Sequence, residues 1–405
     1  MIFVRPFRRF AALAARASIA LIASIASIAS IASIALISAC AGGAESGTDV
    51  VRTDSSGVLI MTSGARDTAL AWTFEEIDVF RDSIGEPYLF NNLFKFHVLT
   101  DRNGRTYVLT RDPSIVRFGR DGKQERTVGR KGGGPGEFEL PIAIGAKGDT
   151  VWVMDVVKRG LVRFLPDLSP ATDQRLEGAL ERAEMISFRT GGLWYRRTDF
   201  TDSAMVSSVF ADTLGRAPLQ SVITTSGGPV NFGCVGLSAS APIFAPHVTM
   251  HASVARLLVN AQPGYELWLY EGPRAVGSIR RPLAPRAPTA EDVRLLYPDG
   301  MRIGFGGDRA DCIVPVEEVM QKQGVAPLMP FVFDVVLLSD GSMWALRTPH
   351  QAPPVVDVFG PDGIYAGTMR GRGLPLALLP NGEMLFAKDD EESGGKVIVR
   401  VRVSR

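Results

Sequence analysis

The sequence predicts an all-β protein, a six-bladed β-propeller of four-stranded blades. Tight Asn-Gly or Asp-Gly turns recur along the chain, each between short apolar segments. A further apolar segment and a second turn follow after a short loop. The whole unit repeats at intervals of about 40 to 45 residues, which is the length of a four-stranded propeller blade.

The tight turns predict the first hairpin of each unit. Asn, Asp and Gly tolerate the positive φ angles of a two-residue connection, and alternating apolar residues on both sides predict strands. A bulky side chain lies three residues after each turn glycine, where we expect it to pack between neighbouring sheets. The turns are Asn103-Gly104, Gly191-Gly192, Asp340-Gly341 and Asn381-Gly382, the bulky residues are Tyr107, Trp194, Trp344 and Leu385, and Trp152 belongs to a related turn at Asp149.

Another apolar segment predicts the third strand of each unit. Ile115–Phe118, Leu161–Phe164 and Val356–Phe359 each precede a turn with aspartate, and Leu267–Tyr270 and Val209-Phe210 fit more loosely. The units are expected to begin near residues 97, 142, 184, 247, 333 and 375. Six units therefore predict six blades.

The two ends of this domain are expected to close the ring together. Lys396–Val403 has the pattern of the third strand of the last unit, and only Ser404 and Arg405 follow it. The fourth strand is therefore expected from the N-terminal side, where Trp72–Phe80 precedes the first hairpin. Such a closure hides sheet edges that would otherwise promote aggregation.

The N-terminal region predicts export and a lipid anchor. Residues 1–39 combine a basic start with a long uncharged Ile-Ala-Ser run, which is typical of a signal peptide. Leu36–Cys40 resembles the bacterial lipobox, in which the cysteine is lipidated after cleavage, so Cys40 is the expected attachment site. Because the run approaches the length that spans a bilayer, an uncleaved membrane anchor is the alternative. Ala41 and Gly42 lack the aspartate that retains some lipoproteins at the inner membrane, which favours the outer membrane.

The expected domain organisation follows from these features. Residues 1–39 form the signal peptide, residues 40–69 carry the lipidated cysteine and a flexible tether or leading strand, and residues 70–405 form the propeller. Lys and Arg together number 44 against 43 for Asp and Glu. The near-cancellation of charge gives no reason to expect nucleic acid as a partner.

A glycine-rich segment between the first two units is the most specific motif in the chain. Gly129–Phe138 contains Gly129, Gly132, Gly133, Gly134, Pro135, Gly136, Glu137 and Phe138. A phosphate-binding loop needs Lys followed by Ser or Thr after its last glycine, whereas Lys131 precedes these glycines. The segment therefore favours a structural turn over a phosphate site.

This motif, followed by Pro141, and the Asp-Gly hairpins resemble those of the six-bladed propellers with NHL-like repeats found in bacterial envelope lipoproteins. The resemblance covers roughly residues 70 to 403. It implies that the glycines form a tight crossing between blades, while Phe138 and Pro141 anchor the next strand. Since one fold hosts many activities, the resemblance implies a fold and no particular chemistry.

Candidate metal ligands are few. The chain has four histidines, His97, His247, His251 and His350. His247 and His251 flank a strand-like Val-Thr-Met and would lie on one face, but a single metal needs three or four converging ligands. They are weak metal candidates, and no catalytic residue and no cofactor are assigned. The acidic run Asp389–Glu392 lacks the alternating spacing of an EF-hand loop and is expected to be solvated.

Two further cysteines, Cys234 and Cys312, could form a disulfide in an exported protein. The loop would be about 78 residues long, and we expect the bridge to clamp a blade to an insertion. Two buried free thiols are the alternative, because sequence does not show whether the Cα atoms approach each other.

The segment from about 280 to 330 interrupts the repeat and is the expected place for specialisation. Thr289–Asp292 resembles a capping box that opens a helix through Leu296, and Pro315–Gln323 predicts a second helix. Gly304–Arg309 between them is expected to be a loop. The insertion could form a lid, a docking surface or a structural decoration.

The sequence thus predicts an envelope-anchored, non-catalytic binding or scaffolding lipoprotein. Its partners are the membrane, through the lipid, and a protein or small molecule on a propeller face. A metal-dependent lyase or hydrolase on the same fold is the alternative.

Overall fold

The structure is a computed structural model, which describes most of the chain from residue 50 to residue 405. The lipobox and Cys40 lie outside the described residues. No helix in the described part is long and apolar enough to cross a membrane. The described range excludes residues 91–92, 111, 177–182, 190–191, 201–203, 211–217, 221–223, 254, 261–263, 304–311 and 350–351.

Three strands precede the first repeat. β1 (Val51–Ser55) and β2 (Val58–Thr62) form a hairpin, and β3 (Thr73–Val79) follows it. The hairpin and β3 both join sheets formed by strands much later in the chain. Between them, the chain from residue 63 to residue 67 contacts Arg281, which is buried. Arg281 donates to the carbonyls of Gly64 and Arg66 at 3.3 and 3.0 Å. The N-terminal segment is therefore part of the folded domain.

The first two sheets are four-stranded antiparallel meanders. A 3₁₀ turn at Lys95–His97 precedes the first of them. The first sheet consists of β4 (Val98–Thr100), β5 (Thr106–Leu109), β6 (Ile115–Phe118) and β7 (Gln124–Val128). The second consists of β8 (Pro141–Lys147), β9 (Thr150–Asp155), β10 (Gly160–Phe164) and β11 (Gln174–Arg175).

The third sheet has a fifth short strand, and an additional hairpin follows it. The sheet consists of β12 (Ala183–Arg189), β13 (Gly192–Phe200), β14 (Ala204–Phe210) and β15 (Pro218–Gln220), with β16 (Thr224–Ser226) also paired to β14. The hairpin consists of β17 (Gly228–Asn231) and β18 (Gly236–Ser240). The repeat pattern did not predict this hairpin, which lies between the expected unit starts at 184 and 247.

The fourth sheet has six strands because the N-terminal hairpin joins it. Strand β2 pairs in parallel with β22, from Leu59 opposite Gly277 to Thr62 opposite Arg280. The 40–69 segment, expected as a tether or leading strand, therefore contributes two strands. The repeat part of this sheet consists of β19 (Thr249–Ser253), β20 (Arg256–Asn260), β21 (Glu266–Glu271) and β22 (Arg274–Arg280).

The expected insertion follows the fourth sheet. It contains α1 (Ala290–Leu296), the paired strands β23 (Met301–Ile303) and β24 (Cys312–Val314), and α2 (Val316–Gln323). The capping box is present, since the Thr289 hydroxyl accepts from Asp292 N and the Asp292 carboxylate accepts from Thr289 N. Both predicted helices are confirmed, whereas the expected loop at 304–309 lies outside the described residues.

The fifth and sixth sheets complete the repeat. The fifth consists of β25 (Asp334–Leu337), β26 (Met343–Leu346), β27 (Val355–Phe359) and β28 (Tyr365–Arg370). The sixth consists of β29 (Ala377–Leu378), β30 (Met384–Asp389) and β31 (Lys396–Ser404) with β3 as its outer strand. Strand β3 pairs antiparallel with β31, from Thr73 opposite Ser404, as the sequence predicts.

Apolar cores lie between successive sheets. In the described residues, one buried cluster joins each sheet to the next, and another joins the sixth sheet to the first through Phe80, Phe118 and Leu385. The bulky residues of the repeat lie in this packing. Tyr107, Trp194, Trp344 and Leu385 are buried, and Trp152 is half-buried.

The prediction of an all-β propeller is confirmed. Each expected unit start lies within two residues of the start of the first strand of a sheet. The expected starts are 97, 142, 184, 247, 333 and 375, and the innermost strands β4, β8, β12, β19, β25 and β29 begin at Val98, Pro141, Ala183, Thr249, Asp334 and Ala377.

Candidate functional site

The segments that specialise this propeller gather at one end of its sheets. We call the end at which the innermost strands β4, β8, β12, β19, β25 and β29 begin the upper end. The 3₁₀ turn precedes β4, the hairpin β17–β18 lies on the path to β19, and the insertion lies on the path to β25. Since loops on a rigid scaffold carry most binding residues, this end is the candidate site.

The hairpin and the insertion form one small unit, which we call the cap (residues 227–247 and 281–332). Its apolar core combines Phe232 and Phe244 from the first segment with Val293, Val314 and Val319 from the second. Backbone hydrogen bonds from Ile243 N to Gly324 O and from Ala326 N to Ile243 O, at 2.9 and 2.8 Å, also join the segments. The cap is therefore built from two excursions of the chain.

The two cysteines lie in this cap. Cys234 is in the turn between β17 and β18, and Cys312 begins β24. The structure pairs them as a disulfide with Cα atoms 5.9 Å apart, within the usual range for such a bridge. The expectation that a bridge would join a blade to an insertion is wrong in one respect, because Cys234 belongs to an insertion of its own.

A buried ion pair lies beneath the upper surface. Lys95, in the 3₁₀ turn, donates from Nζ to the Asp334 carboxylate and to the Val335 carbonyl of the fifth sheet. Thr249, on the fourth sheet, also donates to Asp334. Desolvation lowers the pKa of Lys95, while Asp334 opposes this effect. The Lys95 side chain thus links the turn before the first sheet to the fifth sheet.

The two weak metal candidates both face the fifth sheet. His247 Nε2 lies 3.0 Å from the Phe333 carbonyl oxygen, and His251 Nδ1 lies 3.0 Å from the Leu337 carbonyl oxygen. Protein surrounds His251 closely, and desolvation lowers its pKa to about 3. Backbone groups of one neighbouring strand therefore engage both rings.

The described residues contain no group of three or more His, Cys, Asp or Glu side chains that could hold a metal ion. His97 is the last residue of the 3₁₀ turn before β4, and desolvation lowers its pKa to about 4. His350 lies outside the described residues. In the acidic run, Asp389 pairs with Lys396, and Asp390 accepts from Ser393 N at 3.0 Å.

The glycine-rich motif forms the crossing between the first and second sheets. Phe138 is fully buried between these sheets, with its ring centroid 5.8 Å from that of Phe164. Its backbone N donates to Arg130 O, and Gly132 N donates to Phe138 O, which closes the loop on itself. The Glu137 carboxylate accepts from Gly134 N at 2.8 Å and from Arg130 Nε at 2.7 Å. The Glu137 carboxylate thus accepts from a backbone amide that a phosphate would need. This contact supports a structural turn rather than a phosphate site.

Asp155 connects this crossing to the upper surface of the second sheet. It is fully buried at the end of β9, and its carboxylate accepts four backbone N–H groups. The donors belong to two loops, which expose Leu140 and Val157 by 52% and 59%. Phe94 is 43% exposed nearby and stacks on Phe96 at 5.3 Å. The upper end therefore presents exposed apolar side chains on rigid supports.

A cleft of about 530 Å³ opens at the upper end between the fifth and sixth sheets. Its described lining includes Leu93, Phe94, Leu346, Leu374 and Pro375, which are apolar. The charged residues of the lining are Lys95, Asp334, Glu76, Arg372, Lys388, Asp389 and Lys396. The volume lies in the range of small-molecule sites, about 300 to 1,000 Å³.

The cleft residues were not identified from the sequence. Lys95, Asp334, Glu76 and Arg372 are far apart in the chain, and none belongs to a motif of fixed spacing. One sequence signal could have pointed to the cleft. Residues Arg370–Gly373 read Arg-Gly-Arg-Gly, a local concentration of positive charge immediately before the last unit. Only closure of the ring brings Glu76 of β3 to that segment.

Comparisons with known proteins identify the fold alone. No protein-family model matches the chain, and no curated protein matches it. Among solved structures, the chain aligns with a Bacteroides fragilis protein named as a candidate exported protein. The TM-score is 0.50 at 10% identity, and the alignment covers 85% of this chain and 100% of the other. A member of the DUF4221 family from Bacteroides vulgatus aligns with a TM-score of 0.45 at 10% identity, covering 84% and 98%. Virginiamycin B lyase from Staphylococcus aureus aligns with a TM-score of 0.36 at 9% identity, covering 82% and 99%. The chain is thus similar in fold to an exported-protein candidate.

Proposed function

We propose that this protein is an envelope-anchored, non-catalytic binding or scaffolding module that engages its partner at the upper end. The observation that carries the proposal is the concentration of specialised structure at that end. The cap, the cleft of about 530 Å³ and the exposed side chains of Phe94, Leu140 and Val157 lie where the innermost strands begin. Among the described residues, the turns at Asn103-Gly104, Asp121-Gly122 and Asp340-Gly341 at the opposite end are short hairpin connections of the repeat.

The proposal includes six blades around one channel. Its support is the set of six sheets with at least four strands in the described residues, together with apolar cores between successive sheets and between the last and the first. The sheet order and the pairing of β3 with β31 fit a ring closed by an N-terminal strand.

The proposal also places the protein in the cell envelope on a lipid anchor at Cys40, at the outer membrane. It rests on the lipobox-like Leu36–Cys40 and on the absence of a retaining aspartate at Ala41 and Gly42. The exported-protein candidate of similar fold and the resemblance to NHL-like envelope lipoproteins support export. Two or more acyl chains would hold the domain stably at a membrane.

Position-specific photocrosslinking in intact cells tests the binding end. A photoreactive amino acid replaces Leu140 at the upper end or, as a matched control, Leu165 in the turn after β10 at the opposite end. The two leucines are 52% and 44% exposed, so both reach solvent. We expect a discrete crosslinked product from position 140 and none from position 165. A product from position 165 alone would place the partner at the other end and refute the proposal.

The metal-dependent lyase or hydrolase has no specific observation in its favour among the described residues. Elemental analysis of protein purified without chelator tests it directly. One zinc or calcium ion per chain, lost together with an activity, would replace the binding module with the enzyme.

A further inference from the structure

Two cations in the cleft share one carboxylate. Lys388 Nζ donates to Glu76 Oε2 at 2.8 Å, and Arg372 Nη2 donates to Glu76 Oε1 at 3.2 Å. Hydrogen bonding to Lys388 first, and the charges of Lys388 and Arg372, hold the pKa of Glu76 below its usual range. Glu76 is therefore ionised at neutral pH, and its single charge faces two positive charges.

The other charged residues that line the cleft also form ion pairs. Lys95 pairs with Asp334 and Lys396 pairs with Asp389. Of the described lining residues, four are cationic and three are acidic, so the cleft carries one positive charge in excess. That excess lies at the Lys388–Glu76–Arg372 group, and a cleft of one sign concentrates ligands of the opposite charge.

Aromatic rings hold one of these cations in place. The Arg372 guanidinium lies 5.1 Å from the centroid of Phe386 and 5.7 Å from that of Phe74. The Arg372 side chain is 25% exposed, whereas that of Lys388 is 56% exposed. A guanidinium fixed by ring faces loses little conformational freedom when it binds an oxyanion, because its planar donors are already oriented.

The cleft lining also contains apolar side chains. Leu93, Phe94, Leu374 and Pro375 line the cleft together with the charged residues. A ligand that fills the cleft would therefore meet both donors for an oxyanion and apolar side chains. This combination is typical of sites for small molecules that carry one anionic group on an apolar body.

We propose that the cleft binds a small amphipathic anion, an apolar molecule with a carboxylate or phosphate group, and that Arg372 and Lys388 hold its anionic group. Glu76 occupies these donors in the free protein and competes with the ligand for them. The inference rests on the proposed binding function and names the ligand class at that same end. The chemistry of recognition is a charge-assisted hydrogen bond from a guanidinium or ammonium to an oxyanion.

A matched pair of probes tests the charge requirement. The full-length chain in nanodiscs of zwitterionic lipid is titrated with 3-phenylpropionate and with its neutral amide, and binding is measured by saturation-transfer NMR. We expect the anion to bind about tenfold more tightly than the amide, since charge-assisted hydrogen bonds are about twice as strong as neutral ones. Equal binding of the two probes, or binding of neither, would overturn the proposal.

Substitutions then locate the site and test the competition. Lys388→Gln should weaken 3-phenylpropionate binding by about tenfold and leave the amide unaffected. Glu76→Gln should strengthen binding of the anion, because it removes the competing charge. Lys322→Gln, on α2 of the cap, is the control for loss of a surface cation and should change nothing. Unchanged or weaker anion binding in Glu76→Gln would contradict the competition, and melting curves of each variant show that it is folded.

The probe titration tests the ligand class, and the crosslinking experiment tests the binding end, so the two proposals can fail independently. Failure of both probes with a crosslink at position 140 would remove only the ligand class. Binding of the anion with a crosslink at position 165 alone would support the cleft while refuting the upper end as the partner surface.

Discussion

At the residue scale, the crossing between the first two sheets depends on glycines for two separate reasons. Gly136 has a φ of +72°, and a Cβ added there would lie 2.6 Å from the Pro170 side chain. Gly148 has a similar φ of +62° in the turn between β8 and β9, but nothing lies within 4 Å of its added Cβ. A comparison of substitutions at Gly136 and Gly148 therefore distinguishes the cost of backbone strain from the cost of steric overlap.

Gly136→Ala is expected to destabilise the protein more than Gly148→Ala. Both substitutions incur the strain of an L-residue at positive φ, about 1 kcal/mol, and only the first also displaces a packed ring. We expect Gly136→Ala to lower the free energy of unfolding by about 2 to 4 kcal/mol. Urea unfolding of both variants measures the difference. Equal losses would show that the loop moves away from Pro170 at little cost.

A second prediction at this scale concerns His251 and acid. Its pKa is about 3 in the folded protein against 6.5 for an ordinary histidine, because desolvation disfavours the charged ring. The unfolded chain therefore binds the extra proton first as the pH falls. The stability contribution of neutral His251 is complete above pH 6.5 and is lost as the pH falls towards 3.

Wild-type stability should thus decline on the order of 1 kcal/mol per pH unit between pH 6.5 and 3 from this group. His251→Asn keeps an acceptor near Leu337 N but does not titrate, so its stability should depend less on pH in this window. Urea unfolding at several pH values measures both slopes. Parallel curves for the two proteins would mean that His251 is hydrated enough to take up its proton while folded.

At the element scale, the cap is held by a small core, backbone hydrogen bonds and a disulfide between its two excursions. In the chain-entropy model a bridge across 78 residues contributes about 4.5 kcal/mol before strain. Because the bridge lies within the cap, we expect its loss to act mainly there. Cys234→Ser should expose cap residues to proteolysis while the sheets stay folded.

Limited trypsin digestion followed by mass spectrometry measures this effect. The expected early cleavages lie within the cap, after Arg294, Arg302 or Lys322. The same digestion of wild-type protein, with and without reductant, is the control. Cleavage of the variant at the wild-type rate would show that the apolar core around Val314 and Val319 holds the cap without the bridge.

Elements with a local signature were predictable, and those that depend on distant contacts were not. The capping box at Thr289 and the turns at Asn103-Gly104 are set by residues close in sequence, so their positions were predicted closely. The hairpin β17–β18 has a shifted register and no tight turn of this type, and was missed. The pairing of Lys95 with Asp334 joins residues 239 apart, which no spacing rule reveals.

At the scale of the whole molecule, two N-terminal elements contribute differently to the ring. The hairpin β1–β2 adds to the outer side of a sheet that already has four strands, and every residue of β1 is exposed. Strand β3 supplies the fourth strand of the sixth sheet, and Phe74 contacts both Trp344 and Phe386. Phe80, which follows β3, lies in the core between the sixth and first sheets.

Two N-terminal truncations test how much these elements contribute to folding. A chain that begins at Gly57 lacks only β1, and we expect it to fold and to melt within a few degrees of the chain that begins at residue 50. A chain that begins at Arg81 also lacks β2, β3 and Phe80, which exposes the edge of β31 and opens cores between sheets. We expect it to aggregate or remain unfolded, and gel filtration with circular dichroism distinguishes the three proteins. A monomeric, folded chain from Arg81 would show that the ring folds without its closing strand. An unfolded or aggregated chain from Gly57 would show that β1 contributes to stability, which its exposure does not predict.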